Sequence, residues 1–171
     1  YWWKLAAEQG YETAQVKLGI AYAKGLGVTE DQEQAVYWYR LAAEQGVVDA
    51  QANLGNRYLN GEGVQRDLEQ AAYWWRLAAN QGYATAQFML GVSYFTGEGV
   101  QEDLEQAVYW YKLAAEKGIV EAQLNLGNAC FYGNGVHEDL EQAVYWYKLA
   151  AEKGNPNGQF KRFTARDFNH E

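Results

Sequence analysis

Cysteine, proline and methionine each occur once in these 171 residues, and histidine only twice. A single cysteine excludes a disulfide framework within the chain and a thiolate metal cluster. Disordered linkers combine glycine with proline and are poor in apolar residues, whereas this chain is 49% apolar, so a disordered chain is excluded as well. No run of about 18 uncharged apolar residues is present, and no segment reads as a membrane-spanning helix. Basic residues are also scarce. Lys and Arg number 14 against 22 Asp and Glu, for a net charge of −8. That balance argues against a nucleic-acid surface, whose affinity rests on neutralising phosphates. What the chain has in quantity is glycine, 18 residues, with 7 Trp and 14 Tyr.

These residues are periodic. Seventeen of the 18 glycines fall into four classes spaced 36 residues apart: Gly10/46/82/118/154, Gly19/55/91/127, Gly25/61/97/133 and Gly27/63/99/135. Trp2, Trp38, Trp74, Trp110 and Trp146 keep the same period, and Trp3 and Trp75 share the next position with Tyr39, Tyr111 and Tyr147. Residues 83–118 and 119–154 agree at 25 of 36 places. A fixed period in the range of about 20–50 residues marks a repeat array.

Each unit reads as two helices. Asp31-x-x-Gln34 and its echoes at Asp67, Asp103 and Asp139 are close to a capping box, with Asp as the N-cap of the second helix. That helix stops at Gly46, Gly82, Gly118 or Gly154, where glycine can take the left-handed conformation. The first helix of the first unit is expected from about Glu12 to Lys24 and is released by Gly25-Leu26-Gly27-Val28, whose valine is expected to plug the turn into the core. The spacing thus predicts an all-α solenoid: a partial repeat at 1–10 (second helix only), repeats at 11–46, 47–82, 83–118 and 119–154, and a divergent capping helix at 155–171. Tyr1 begins within a second helix, so the chain is expected to be a fragment of a longer repeat protein in which a signal peptide would not be visible.

The pattern Ala50-Gln51-x-x-Leu54-Gly55-x-x-Tyr58-x-x-Gly61-x-Gly63-Val64-x-x-Asp67-x-x-x-Ala71-x-x-Trp74-x-x-x-Ala78-Ala79-x-Gln81-Gly82 resembles the Sel-one-like repeat (SLR), a relative of the tetratricopeptide repeat (TPR). The resemblance covers about residues 1–154. It implies a right-handed α/α superhelix of helix-turn-helix units, with the first helix of each pair (helix A) on the concave side and the second (helix B) on the convex side. It also implies an adaptor or scaffold for protein complexes, of a kind common in bacteria and often periplasmic or secreted. Some secreted members staple each repeat with two cysteines. Their absence here removes one argument for an extracellular home without proving a cytoplasmic one.

Unrolling helix A at about 100° per residue separates packing positions from free ones. Ala14, Gln15, Leu18, Gly19 and Tyr22 form a core arc that recurs in later units. The remaining arc is a stripe in which the repeats disagree. It is the candidate partner-binding surface: Lys17, Asn53, Asn56, Arg57, Asn60, Met89, Ser93, Asn125, Asn128 and Tyr132. On one reading its amides bond the backbone of a bound peptide, while charge and apolar contacts come from its neighbours, Phe95 included. On the other it is a solvated face that has drifted. Helix B carries a second candidate, a convex ridge of Tyr37/Leu41, Tyr73/Leu77, Tyr109/Leu113 and Tyr145/Leu149. Such a ridge marks an interface, or else each pair only stabilises its own helix and packs on the next.

Catalytic chemistry finds no residues. His137 and His170 are isolated, in a repeat loop and in the tail, and Cys130 replaces the tyrosine of other units, as a small buried hydrophobe does. The Gly-x-Gly-Val turns lack the third glycine of a dinucleotide site and the lysine of a phosphate loop. The acidic starts of helix B are explained by capping and the helix dipole. The expectation is therefore a non-catalytic scaffold without cofactor or metal, binding a protein or peptide, with no nucleic acid and no membrane insertion. The alternative is an assembly subunit that self-associates through the ridge or the open N-terminal repeat.

Overall fold

The computed structural model describes residues 2–154, and all regular structure among them is helical. The elements are α1 (Trp2–Glu8), α2 (Glu12–Lys24), α3 (Gln32–Glu44), α4 (Val48–Asn60), α5 (Leu68–Asn80), α6 (Ala84–Thr96), α7 (Leu104–Glu116), α8 (Val120–Tyr132) and α9 (Leu140–Gly154). Helices α2, α4, α6 and α8 are the A helices; the odd-numbered ones are the B helices. Principal packing is between consecutive helices, as in an open solenoid. The expected capping helix at 155–171, with His170, lies outside the described residues.

The helix ends follow the sequence signals, with one difference that fixes the fold. Asp31, Asp67, Asp103 and Asp139 each accept the N–H of the residue three places on, at 2.9–3.0 Å. In a capping box the Gln side chain would return a bond to the Asp N–H. Here that N–H donates instead to helix A of the same repeat, to the carbonyls of Tyr22, Tyr58, Tyr94 and Cys130 at 2.8–3.0 Å. The cap of helix B is thereby tied to its partner helix. At the other end Gly46, with φ 90°, closes a Schellman motif: Gly46 N–H donates to the Ala43 carbonyl and Val47 N–H to that of Ala42.

Two glycine classes set distances between helices. A Cβ on Gly19, Gly55, Gly91 or Gly127 would lie 2.6–2.7 Å from the ring of Tyr39, Trp75, Tyr111 or Tyr147, so the absent side chain lets the A and B helices close onto that aromatic. Gly63, Gly99 and Gly135 have φ of 70–76°, and a Cβ there would overlap the carbonyl oxygen of Gln32, Leu68 or Leu104 at the start of the preceding repeat's helix B. Gly27 has the same conformation but meets nothing within 4 Å. The expected valine plug is uneven. Val64 packs on the core, whereas Val136 is exposed.

Among the described residues there is no central core. Trp38, Trp74, Trp110 and Trp146 each sit in a separate buried cluster among alanines and a leucine of neighbouring helices. The clusters are joined by buried amides. Gln15, Gln51, Gln87 and Gln123 donate through Nε2 to the carbonyls of Ala7, Ala43, Ala79 and Ala115, at 3.0–3.2 Å. Each thus satisfies a C-terminal carbonyl of the preceding helix B.

Candidate functional site

The core arc of helix A is sealed, and Gln15, Gln51, Gln87 and Gln123 in it are 2–4% exposed. Beside it, neighbouring repeats form a slot bounded by two A helices, the B helix between them and the Gly-x-Gly loop. Because the period is constant, the three described slots can be compared position by position.

In the first slot, between α2 and α4, Arg57 is a plug. Its Nη1 donates to Gln32 Oε1, and the same guanidinium pairs with Glu62 at 2.5 Å. The guanidinium carbon stands 5.9 Å from the Tyr39 ring centroid. Gln32 is itself held, donating to the Ala23 carbonyl at 3.2 Å and to Glu30 at 2.7 Å. Asn60 donates to Glu62 and Asn53 to the Asp49 carbonyl. The charge and most of the amides of this segment are therefore engaged within the molecule.

In the second slot Trp75 replaces tyrosine and Met89 replaces asparagine, and only about 40 Å³ remains among Leu59, Leu68, Trp75, Met89, Val92 and Ser93. Ser93 is buried, 5% exposed, so this member of the predicted stripe lies below the surface. The indole Nε1 of Trp75 donates to Asn56 Oδ1 at 3.1 Å.

The third slot is open. Ala129 stands in the place of Arg57, Leu104 in that of Gln32, and Asn134 in that of Glu62. A cleft of about 270 Å³ results, with Leu104, Ala107, Val108 and Tyr111 from α7, Phe95 from α6, and Asn125, Asn128 and Tyr132 from α8. Phe95 and Tyr132 are 47% and 67% exposed at its mouth. Asn128 Oδ1 accepts from the Tyr147 hydroxyl at 2.7 Å, which leaves the amide nitrogen of Asn128 to bond an incoming acceptor. Burial pushes the Tyr111 phenol up to about 12, although a bond from Asn125 acts in the opposite direction. Tyr39, its counterpart in the first slot, is also raised by burial, with the nearby Arg57 charge and hydrogen bond opposing the rise.

Of the predicted stripe, the structure brings Asn125, Asn128 and Tyr132 together at this cleft. Asn53, Asn56, Arg57 and Asn60 gather around the closed first slot, and Met89 with Ser93 fills the second. Lys17 lies 4.0 Å above the Trp3 ring, away from all three. Helix A alone did not reveal Leu104, Val108, Tyr111 or Asn134. A signal for two of them was available: position 32/68/104 turns from Gln to Leu where 57/93/129 loses its Arg, and position 62/98/134 loses its carboxylate at Asn134.

The convex ridge is divided. Tyr37, Tyr73, Tyr109 and Tyr145 are 51–53% exposed, each ring edge-on to the following tryptophan at 4.9–5.1 Å. Leu41, Leu77, Leu113 and Leu149 pack against the buried clusters. Cys130 is buried, and burial followed by the nearby Asp139 charge raises its thiol, so it is not an activated nucleophile. Among the described residues no group of His, Cys, Asp and Glu could hold a metal ion, and no helix is long and apolar enough to cross a membrane.

The Sel1 repeat profile matches residues 1–11, 13–47, 48–83, 84–119 and 120–155. A protective antigen of uropathogenic Escherichia coli with an SLR fold is 46% identical, with a TM-score of 0.84 over 90% of this chain and 33% of its own. A Sel1 repeat protein from Oxalobacter formigenes is 41% identical, with a TM-score of 0.82 over 86% of this chain and 60% of its own. The chain thus spans about a third and three fifths of these two relatives. Helicobacter pylori cysteine rich protein B shares the fold at 21% identity and a TM-score of 0.55, over 71% of this chain and 86% of its own. No curated protein matches the sequence.

Proposed function

The chain belongs to the Sel1 repeat family, whose repeats mediate protein–protein interactions, and we propose that it binds a peptide or partner loop on its concave, helix-A face. Members of the family are non-enzymatic scaffolds. One observation carries the choice of face. The frame residues are repeated almost without change, while the helix-A stripe changes from a plugged slot to an open cleft. Preorganisation supports the reading, because the rigid array holds Asn125, Asn128 and Tyr132 at fixed spacing before any partner arrives. The acceptor role of Asn128 Oδ1 further restricts which group of that amide meets a ligand.

The test begins with affinity capture by the chain and mass spectrometry of the retained protein, followed by binding measured with that protein. An Asn125→Ala, Asn128→Ala variant is expected to bind about 5- to 30-fold more weakly, the loss of one or two hydrogen bonds. Its thermal midpoint is expected to fall by several degrees, because Asn128 accepts the Tyr147 hydroxyl and Asn125 bonds Tyr111, so circular dichroism first checks that the helices are intact at the binding temperature. Unchanged affinity would remove this face from consideration. Self-association through the ridge has less apolar surface to offer, because its leucines are packed inward. A Tyr109→Glu variant tests it by light scattering, where a fall from dimer to monomer mass would favour that reading.

A further inference from the structure

The three slots share one frame and differ in what fills them. The first is filled by its own side chain, and the lining matches the occupant: Arg57 finds an amide oxygen, a carboxylate and an aromatic face. In the third slot the plug, the amide and the carboxylate have all gone, replaced by Ala129, Leu104 and Asn134. What remains, among the described residues, is an aliphatic floor with Tyr111, an aromatic mouth of Phe95 and Tyr132, and no charged residue in the lining. A guanidinium would lose its solvation there without a counter-charge. An apolar side chain would lose nothing.

Size narrows the occupant. A cavity of about 150 Å³ holds benzene, and drug-sized ligands occupy roughly 300–1,000 Å³. The cleft of about 270 Å³ therefore suits one aromatic side chain, whose ring can meet Tyr111, Phe95 and Tyr132 in edge or offset contacts. Charge narrows the surroundings. The ionised side chains of α6, α7, α8 and loops 97–103 and 133–139 are Glu98, Glu102, Asp103, Glu105, Lys112, Glu116, Glu121, Glu138 and Asp139, eight acidic against one basic. The corresponding segments of the first two units carry Lys17, Lys24, Arg40, Arg57 and Arg66.

We propose that the cleft between α6 and α8 is a receptor for one aromatic side chain of a partner peptide that carries Lys or Arg next to that aromatic. The proposal rests on the concave-face reading above and adds the anchor's position and chemistry. The net acidic charge of the surrounding segments draws in the basic flanks, the apolar floor takes the ring, and Asn128 bonds the peptide backbone beside it.

Isotope-labelled chain is titrated with short Gly/Ser peptides containing Lys-Phe-Lys, Lys-Ala-Lys, Lys-Arg-Lys or Glu-Phe-Glu. Lys-Phe-Lys is expected to shift the amide resonances of Phe95, Asn125, Ala129 and Tyr132. Ala or Arg at the anchor should weaken binding by about 10-fold or more, the contribution of burying a phenyl group, and Glu flanks should weaken it severalfold. A Leu104→Gln, Ala129→Arg, Asn134→Glu variant rebuilds the first slot's plug in the third and should abolish the Phe-dependent shifts. Tyr132→Thr, at an exposed position, should weaken binding severalfold and carries the test should the triple variant not fold. Absence of Lys-Phe-Lys binding, equal binding of Lys-Arg-Lys, or Tyr132→Thr leaving affinity unchanged would overturn the proposal. Shifts along Asn53, Asn56 and Asn60 that ignore the anchor would overturn it while sparing the concave-face reading. Shifts confined to Tyr37, Tyr73 and Tyr109 would remove both.

Discussion

The slot between α2 and α4 and the slot between α6 and α8 are built on the same backbone frame, yet one is closed by a salt-bridged arginine and the other is an open apolar cleft. The difference lies in a handful of side chains. Three of them, at 32/104, 57/129 and 62/134, exchange the mutually satisfied set Gln32, Arg57 and Glu62 for the uncharged set Leu104, Ala129 and Asn134. The second slot stands part-way, with Leu68 and Ser93 in the places of Gln32 and Arg57 while the carboxylate persists as the exposed Glu98. The filling of the slots can therefore vary at constant architecture, because the contacts that set the frame involve none of these three side chains.

The most severe way to break the comparison is to break the frame. Gly135→Ala would drive a Cβ into the Leu104 carbonyl at a φ of 71°, and a loss of about 3 kcal/mol or more is expected in urea unfolding. Gly27→Ala has equal backbone strain and open space, so about 1 kcal/mol is expected. Equal losses at the two sites would show that the approach of loop to helix is not what demands glycine at 135.

Arg57→Ala opens the first slot without disturbing the frame. It should cost about 2 kcal/mol through lost charge-assisted hydrogen bonds, in contrast to a negligible cost for Asn134→Ala at the corresponding third slot. Thermal melts of the two variants check this, and equal midpoints would mean that Arg57 is not a plug.

A smaller effect concerns the joints behind the slots. Gln81 donates both to Gln51 Oε1 at 2.8 Å and to the Gly46 carbonyl at 3.0 Å. Its counterpart Lys117 donates to the Gly82 carbonyl, and Gln87 Oε1 is buried without a partner. Lys117→Gln should restore the missing bond and stabilise by about 1 kcal/mol, raising the thermal midpoint by about 2–4 °C. An unchanged or lowered midpoint would refute that account of the joint.

The last prediction has no effect at neutral pH. Tyr111 titrates at about 12 in the folded chain against 10.0 ordinarily, so its protonated form is favoured by folding. That contribution is intact below pH 10 and is lost as pH rises from 10 through about 12. Tyr111→Phe should therefore flatten the fall in stability over that window. Burial raises Tyr39 as well and the Arg57 charge opposes the rise, so Arg57→Ala should move part of the tyrosinate absorbance titration to higher pH. An unchanged titration curve for Arg57→Ala would argue that Arg57 leaves Tyr39 electrostatically unaffected.

Much of the fold was legible because its signals are local and repeated. Asp N-caps, terminal glycines and the tryptophan period each speak for a short segment, and repetition turned them into an array. The site was legible only as a stripe. A helix-A pattern shows which positions packing leaves free, but Arg57, Asn53 and Asn60 are free of the core and still engaged with Gln32, the Asp49 carbonyl and Glu62. Ser93 varies between repeats and is nonetheless buried, because Trp75 and Met89 close over its slot.

By itself the sequence determined the helices, their order, the family and the existence of positions free to differ, since these depend on spacing within a single period. Only the tertiary structure decided which free positions border an open space and which are engaged within the chain. The slot is assembled from two A helices, the B helix between them and a loop, so its openness depends on residues as far apart as Phe95 and Asn134. Whether a side chain fills such a space or borders it is a matter of distance across the groove, and that distance is set by glycines whose missing side chains let the repeats close.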